Sequence, residues 1–159
     1  MRDADFERLY EQQAQGLFGF LAYRTGDRVL AEDLLADTFE RALRSRRGFD
    51  RRRGSEKTWL YAIALNLLRD HARRSAAEGR AVDRVVHGSA PAPADLDGVE
   101  RRDTVQRAMS VLAEDEREAI ALRFGADLTV PEMAKLLDLP LTTVEGRVYR
   151  ALRKLRERL

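Results

Sequence analysis

The sequence predicts an all-α protein: two small helical domains joined by a flexible linker, the C-terminal one ending in a helix-turn-helix. Three observations support this fold class. Apolar residues recur at helical spacing through most of the chain. Residues 75–98, which are rich in small residues and contain prolines, separate two such regions. Residues 128–159 consist of two helical patterns on either side of a short interruption.

The composition narrows the possible function classes. Of the 159 residues 35% are charged, yet the formal net charge is only +2, so the distribution of charge is more informative than its sum. The absence of cysteine excludes disulfides, thiolate metal sites and redox sensing by thiols. No apolar run approaches membrane-spanning length and the N-terminus lacks an apolar signal core, so we expect a cytoplasmic protein with no membrane insertion of its own.

The N-terminal domain, residues 1–74, is expected to begin with helical segments. Asp3 can cap a first helix, and Gly16 precedes a second apolar stretch, residues 17–23. Residues 25–27, Thr-Gly-Asp, combine a helix stop, a turn and a new N-cap. A second long helix therefore starts at this turn.

That second helix, which reaches about residue 45, has an acidic side. Asp33, Asp37 and Glu40 follow one another at i, i+4 and i+7. A metal or acid–base site is disfavoured, because no histidine or fourth ligand is near. A solvated face with arginine partners and a docking face for a basic protein both remain open. The opposite side is predicted to be buried and contains Leu34, Leu35, Phe39, Ala42 and Leu43.

Residues 46–56 form a basic loop around a single aromatic residue, Phe49. The loop contains five arginines, among them Arg51 and Arg52, and its glycines argue against continued helix. Such a segment either keeps a loop soluble or follows a phosphate backbone.

Ser55 is expected to cap the next helix, residues 56–74, which is apolar almost all the way round. Its polar exceptions form one stripe of amide, carboxylate and guanidinium groups, which can hydrogen-bond base edges and phosphates. Trp59, at the upper end of the stripe, fits either the core or a role in supporting an unstacked base. The stripe consists of Asn66, Arg69, Asp70 and Arg73.

Residues 75–98 are expected to form an extended tether, because Pro91 and Pro93 in an alanine-rich run disfavour helix and strand. The C-terminal domain, residues 99–159, resumes with two amphipathic helices. Gly125 is expected to cap the second of these.

The helix-turn-helix is marked by two expected capping boxes, Thr129/Glu132 and Thr142/Glu145. The residues between its helices, 138–140, are Asp-Leu-Pro. One side of the second helix is apolar and the other basic, which favours DNA reading over a merely solvated amphipathic helix. The basic side contains Thr143, Gly146, Arg147, Arg150, Arg153 and Lys154.

The chain resembles a bacterial RNA polymerase sigma factor of the extracytoplasmic-function type. The resemblance rests on the order of five segments: the acidic helix AEDLLADTFERAL, the basic loop, the helix TWLYAIALNLLRDHARR, the tether, and the C-terminal LAEDEREAIALRF with its helix-turn-helix. The resemblance covers residues from about 5 to about 156. It implies that residues 1–74 are sigma region 2 and residues 99–159 are sigma region 4. It also implies a chain without a cofactor that performs no catalysis.

The resemblance implies three sets of site residues. Core polymerase would bind Asp33, Asp37, Glu40 and Leu43. The promoter's minus-ten element would meet Phe49, Arg51, Arg52, Trp59, Asn66, Arg69, Asp70 and Arg73. The minus-thirty-five element would meet Thr143, Glu145, Gly146, Arg147, Tyr149, Arg150 and Lys154.

This chain departs from the family where lysine or arginine followed by serine is frequent and Glu145-Gly146 stands instead. Glu145 would then cap the helix or accept a hydrogen bond from a cytosine amine. The resemblance further implies a dedicated anti-sigma factor, with the chain monomeric when free or in a 1:1 complex. The alternatives are a stand-alone dimeric helix-turn-helix regulator, which leaves the acidic stripe without a role, and a helical enzyme, for which no nucleophile–base pair is present.

Overall fold

The computed structural model describes residues 1–79, Thr104 and residues 107–158. We call residues 1–79 the N-terminal block and residues 107–158 the C-terminal block. All regular structure in these residues is helical, which confirms the all-α prediction. No helix in this part of the chain is long and apolar enough to cross a membrane. The predicted tether lies outside the described residues from position 80 onward.

The N-terminal block contains three long helices, and the first is not interrupted at Gly16. Helix α1 runs from Asp3 to Thr25, with Arg2 rather than Asp3 at its N-cap. A glycine inside a helix costs about 1 kcal/mol relative to alanine. Full burial of a leucine contributes about 2 kcal/mol, and Leu9 and Leu17 are both buried on this helix. Packing therefore outweighs the local penalty.

The next two helices begin at the caps that the sequence predicts. Helix α2 spans Arg28–Ser45, and the Asp27 carboxylate accepts hydrogen bonds from two backbone N–H groups of its first turn at 3.0 and 3.2 Å. Gly26, in the turn before it, has a φ of +67°. Helix α3 spans Glu56–Ala77, past the predicted end at residue 74, and Ser55 Oγ accepts the N–H of its first turn at 3.1 Å.

The C-terminal block begins with a helical turn at residues 107–109. It continues with three helices, two of which form the helix-turn-helix. They are α4 (Glu114–Ile120), followed directly by a π-helical turn (Ala121–Gly125), then α5 (Val130–Leu137) and α6 (Leu141–Arg158).

The prediction that Gly125 caps the second helix is wrong. The π-helical turn carries the chain through Gly125, and the Ala126 N–H closes it on the Ala121 carbonyl at 2.9 Å. Because that carbonyl is already satisfied, no left-handed glycine is needed there. The left-handed residue comes later, at Asp127, with a φ of 57°.

The two blocks pack against each other. One continuous cluster of buried apolar side chains includes Leu17 and Tyr61 of the N-terminal block and Leu122 and Met133 of the C-terminal block. Helix α3 packs on α5, and α1 packs on the π-helical turn. Burial in this cluster raises the pKa of Tyr61 to about 12. The described residues therefore form one compact body.

Candidate polymerase and nucleic-acid interfaces

The acidic face of α2 is open to solvent. Asp33 and Asp37 are exposed, and neither forms an ion pair within the described part of the chain. Glu40 is exposed too and pairs with Arg44 one turn further on. No group of His, Asp and Glu side chains in the described residues is arranged to hold a metal ion. The face thus presents free negative charge rather than a ligand cage.

Apolar surface borders the acidic face. The prediction that Leu43 is buried is wrong, because its side chain lies at the end of the apolar stripe of α2 and remains 42% exposed. Exposure is what a docking role would require. Tyr10 of α1 is 49% exposed, and its ring lies 4.8 Å from that of Phe39.

The basic loop folds into two short 3₁₀ turns, Arg46–Gly48 and Arg51–Arg53. Asp50 caps the second turn by accepting the Arg52 N–H at 3.0 Å. Phe49, between the turns, lies against Trp59 of α3, with 5.3 Å between ring centroids. Trp59 is half-buried against the hydrophobic cluster, so it contributes to the core and also backs the loop aromatic.

A cleft of about 490 Å³ lies between this loop and α1. The loop supplies an aromatic ring and a guanidinium, and the first residue of α3 supplies a carboxylate. The Arg51 guanidinium donates to that carboxylate, Glu56, at 3.3 Å. Helix α1 supplies two amides that sequence reasoning missed, because the fold alone brings α1 beside the loop. The lining residues named here are Phe49, Arg51, Glu56, Gln12 and Gln13.

The polar stripe of α3 faces outward, as the periodicity predicts. Asn66 is exposed, and Arg73 pairs with Asp70 within the helix. Arg69 behaves differently, because its Nη2 donates to Glu118 of the C-terminal block at 3.0 Å. One member of the stripe is therefore already in use across the block boundary.

The helix-turn-helix forms with one of its two predicted caps. The Thr129 hydroxyl accepts the Glu132 N–H at 3.2 Å, and the Glu132 carboxylate accepts the Thr129 N–H at 2.9 Å. The Thr129 N–H hydrogen bond is the largest cause of a lowered pKa for Glu132. Helix α5 ends at Asp138, which has a φ of 54°.

The second predicted cap, Thr142/Glu145, is wrong. Helix α6 begins at Leu141, and the Pro140 carbonyl already accepts the N–H groups of Thr143 and Val144 at 3.1 and 3.3 Å. Thr142 therefore lies inside the helix, and Glu145 is exposed without a capping role. The fixed φ of proline suits it to the position just before a helix, which explains the earlier start.

Helix α6 buries its apolar side and presents its polar side. Val144, Val148 and Ala151 are buried, whereas Leu152 is 36% exposed and Leu159 lies outside the described residues. On the polar side, Tyr149 is the most accessible aromatic, at 67% exposure. The remaining predicted contact residues are exposed or partly so: Thr143, Glu145, Gly146, Arg147, Arg150 and Lys154.

Gly146 makes room for an arginine. A Cβ at this position would lie 3.2 Å from Arg150 Nη1, so the guanidinium of Arg150 rests across the glycine. The residue that departs from the family pattern thus shapes the surface without making a side-chain contact of its own.

Three cations of α6 face carboxylates of α4. Arg147 Nε lies 3.5 Å from Asp115, and Arg150 Nε lies 3.9 Å from Glu116. Lys154 Nζ donates to Glu116 at 2.7 Å. Sequence reasoning missed these pairs, although the acidic run in EDERE was a visible signal.

Glu116 is the centre of this arrangement and is only 4% exposed. Besides Lys154, its carboxylate accepts the Ala113 N–H at 2.9 Å. The hydrogen bond from Lys154, followed by that from Ala113, holds the pKa of Glu116 below its usual value, against the opposing effect of burial.

Comparison with known families identifies two matching regions. Residues 9–78 match the model of sigma-70 region 2, and residues 102–155 match that of sigma-70 region 4. The chain is 35% identical to the RNA polymerase sigma factor CarQ of Myxococcus xanthus over 158 residues, which covers 97% of this chain and 88% of CarQ.

Two further similarities extend over nearly the whole chain. It is 31% identical to the ECF RNA polymerase sigma factor BldN of Streptomyces coelicolor, over 94% of this chain but only 58% of the length of BldN. The sigma factor RpoE of Bartonella quintana, in its co-crystal structure with the anti-sigma factor NepR, superposes with a TM-score of 0.81 at 26% identity. The match covers 97% of this chain and 96% of RpoE.

Proposed function

The chain belongs to the extracytoplasmic-function group of RNA polymerase sigma factors, which are promoter-specificity subunits, and from that premise we propose which of its surfaces performs each part of the function. The N-terminal block binds core RNA polymerase and the minus-ten element. The C-terminal block reads the minus-thirty-five element. The observation that carries the proposal is that both regions present exposed charged helix faces of the sign that each partner requires.

Core polymerase docks on the acidic face of α2. Asp33 and Asp37 lie one helical turn apart and form no ion pair with any other residue that the structure describes, so they offer their charge to a basic surface. Leu43 and Tyr10 add apolar area at the border of that face, where contact would be dehydrated. This combination favours docking over a merely solvated face.

The minus-ten element is bound by the polar stripe of α3 and the basic loop. Asn66 and Asp70 are placed to hydrogen-bond base edges, while Arg69 and Arg73 hold phosphates. An unstacked base of the opened strand enters the cleft beneath the loop, where Phe49 offers an aromatic face. Capture of that base stabilises the open strand and so helps to melt the promoter.

The minus-thirty-five element is bound by α6 in the major groove. Arg150 lies over Gly146, and its side chain is more than half exposed, so it is accessible to a guanine edge or a phosphate. Glu145 is free of a capping role and so is available to accept from a cytosine amine. Tyr149 and Arg147 complete the contact surface.

The remaining assignments follow from these contacts. RNA synthesis belongs to the polymerase, and this chain contributes recognition without catalysis or a cofactor, in the cytoplasm where the polymerase acts. Because RpoE is held by an anti-sigma factor, we assign a partner of the same class to this chain, in a 1:1 complex that covers the docking and DNA-reading faces. The free chain is a monomer.

Run-off transcription tests the proposal: purified chain and sigma-free core polymerase are incubated with a pool of genomic promoter fragments. Specific transcripts are expected, Asp37→Arg should abolish them, and Asn66→Ala should reduce them. Glu7→Arg, which changes an exposed carboxylate of α1 outside the proposed interfaces, is the matched control. If the chain instead bound palindromic DNA alone as a dimer and core polymerase gained no specificity, the proposal would be replaced by that of a stand-alone regulator.

A further inference from the structure

Arg150 of α6 is in contact with a glycine of its own helix and with a carboxylate of α4. A Cβ added at Gly146 would lie 3.2 Å from Arg150 Nη1 and within 4 Å of Cζ and Nη2 as well, so the whole end of the side chain rests over the glycine. Nε of the same guanidinium lies 3.9 Å from Oε2 of Glu116. Two different helices therefore restrict one guanidinium.

Backbone conformation does not explain the glycine at position 146. Gly146 lies inside α6, and the glycines with positive φ in the described residues are Gly26, Gly54 and Gly79. Within a helix, glycine is less favourable than alanine. What the glycine provides at this position is space for the guanidinium of Arg150.

The carboxylate of Glu116 is fixed by other groups as well. Its Oε1 accepts the Ala113 N–H at 2.9 Å and a hydrogen bond from Lys154 Nζ at 2.7 Å. The Glu116 side chain is only 5% exposed, so it has little room to turn. Because both hydrogen bonds use Oε1, Oε2 is left to present its charge to Arg150.

Contact through Nε leaves the outer nitrogens of Arg150 for DNA. A guanidinium has five N–H donors, and the four on Nη1 and Nη2 can bind a guanine edge or a phosphate oxygen. The Arg150 side chain is 57% exposed. An exposed arginine otherwise samples many rotamers, and restriction before binding reduces the entropy lost on binding. The two contacts thus preorganise the side chain.

We propose that Gly146 and Glu116 are positioning residues for recognition of the minus-thirty-five element. The glycine gives the guanidinium of Arg150 room against α6, the carboxylate fixes its direction, and one base pair is discriminated through the arginine so held. The proposal rests on the proposed function, in which Arg150 contacts DNA. It assigns a role in promoter selectivity to a buried residue of α4, outside the helix that enters the groove.

Base discrimination by the holoenzyme tests this proposal. The full chain or a variant is assembled with core polymerase and bound to a labelled promoter fragment, which unlabelled fragments displace. Each competitor is changed at one base pair of the minus-thirty-five element found by run-off transcription. Arg150→Ala identifies the base pair that Arg150 reads, where discrimination should fall about tenfold. At that base pair alone, Gly146→Ala and Glu116→Gln should each lower discrimination about threefold, because paired hydrogen bonds depend on alignment.

Stability measurements distinguish positioning from a merely structural role. Gly146→Ala should raise the thermal midpoint by about 3 °C even though discrimination falls, because alanine favours the helix and the displaced atoms end an exposed side chain. Gly19→Ala in α1 is the matched control, since a Cβ there meets nothing within 4 Å. It should raise the midpoint similarly and leave discrimination unchanged.

Failure of the positioning proposal and failure of the proposed function give different results. If Arg150→Ala lost discrimination while Gly146→Ala and Glu116→Gln retained it, the positioning proposal would be overturned and the proposed DNA contact would stand. A response of one variant alone would overturn the role of the other residue. If Arg150→Ala changed discrimination at no base pair, the proposed base contact would fail, and the positioning roles with it.

A double-mutant cycle shows whether the two residues act through Arg150. In an Arg150→Ala background, neither Gly146→Ala nor Glu116→Gln should change discrimination any further. A further loss in that background would mean that the residue acts on DNA by another route, which would contradict positioning. Circular dichroism melting of each variant confirms that it is folded.

Discussion

The acidic face of α2 differs from the polar stripe of α3 and the basic side of α6 in more than its charge. On α2, Asp33 and Asp37 have no ion-pair partner within the described residues. On α3, Arg69 is paired with Glu118, and on α6, Lys154 is paired with Glu116. The acidic face thus has two carboxylates without an ion pair in the described residues, whereas α3 and α6 each have a cation paired with a carboxylate of α4.

The paired cations do not all hold their carboxylates equally. The guanidinium of Arg69 is half-exposed, so water screens its ion pair with Glu118, although the Glu118 side chain is only 13% exposed. Glu116 is buried, and removal of its partners would leave a buried charge at much greater cost. Glu116 therefore holds α6 against α4, whereas Glu118 joins α4 to α3.

The largest expected effect is at the unpaired surface. Asp37→Arg places a positive charge where a basic partner is proposed to dock, and like charges at an interface cost several kcal/mol. We expect the affinity for core polymerase, measured without DNA by fluorescence anisotropy, to fall about 100-fold. Glu7→Arg should leave it unchanged. An Asp37→Arg variant with wild-type affinity would show that the open acidic face is only solvated.

Glu116→Gln tests whether the ion pair of Glu116 with Lys154 stabilises the fold. The substitution removes the negative charge of the buried Glu116, which accepts a hydrogen bond from Lys154. Hydrogen bonds to charged groups contribute about 2 kcal/mol. The free energy of unfolding, from urea titration, should fall by about that amount, while Glu157→Gln at an exposed position of α6 should have little effect. A Glu116→Gln variant as stable as wild type would show that the charge of Glu116 does not stabilise the fold.

Arg150→Ala tests whether a paired cation of α6 still reads DNA. One good contact to a base edge is worth about 1 to 3 kcal/mol, so we expect about a tenfold loss of affinity for a duplex containing the minus-thirty-five element found by run-off transcription. Arg41→Ala, an exposed arginine on α2, is the control. If both variants bound alike, Arg150 would be a structural partner of Glu116 only.

A smaller effect is expected with pH. The pKa of Glu116 is lowered in the folded chain relative to 4.5, so its ionised form stabilises the fold above about pH 4.5. That contribution is lost as the pH falls through the folded pKa. The difference in thermal midpoint between wild type and Glu116→Gln should therefore narrow as the pH is lowered from 6 to below 4. A difference that stayed constant would mean that the pair contributes nothing through charge.

Local patterns predicted the helices and most of their limits, and two capping predictions failed because other backbone hydrogen bonds formed at the helix ends. Asp27 and Ser55 cap helices as expected because a cap depends on a few neighbouring residues. Gly125 does not cap the helix, because the Ala126 N–H closes a π-helical turn on the Ala121 carbonyl.

Helical periodicity in the sequence could not predict the ion pairs of the candidate sites. Periodicity shows which face of a helix is polar, but not which other helix that face will meet. The stripe residue Arg69 was assigned correctly to an outward face of α3, yet its partner Glu118 lies 49 positions away in the other block. Likewise, the acidic run of α4 was visible in the sequence, but its contact with α6 follows only from the fold.

The proposed assignment of the acidic face of α2 to core polymerase, separate from DNA reading, can be tested with one variant and two ligands. Asp37→Arg should lower the affinity of the chain for core polymerase about 100-fold and leave its binding to single-stranded DNA unchanged, because Asp37 lies on α2 and not on the polar stripe of α3. If the affinity for core polymerase were unchanged, or if both affinities fell alike, the acidic face would not be a separate docking surface and the account would be wrong.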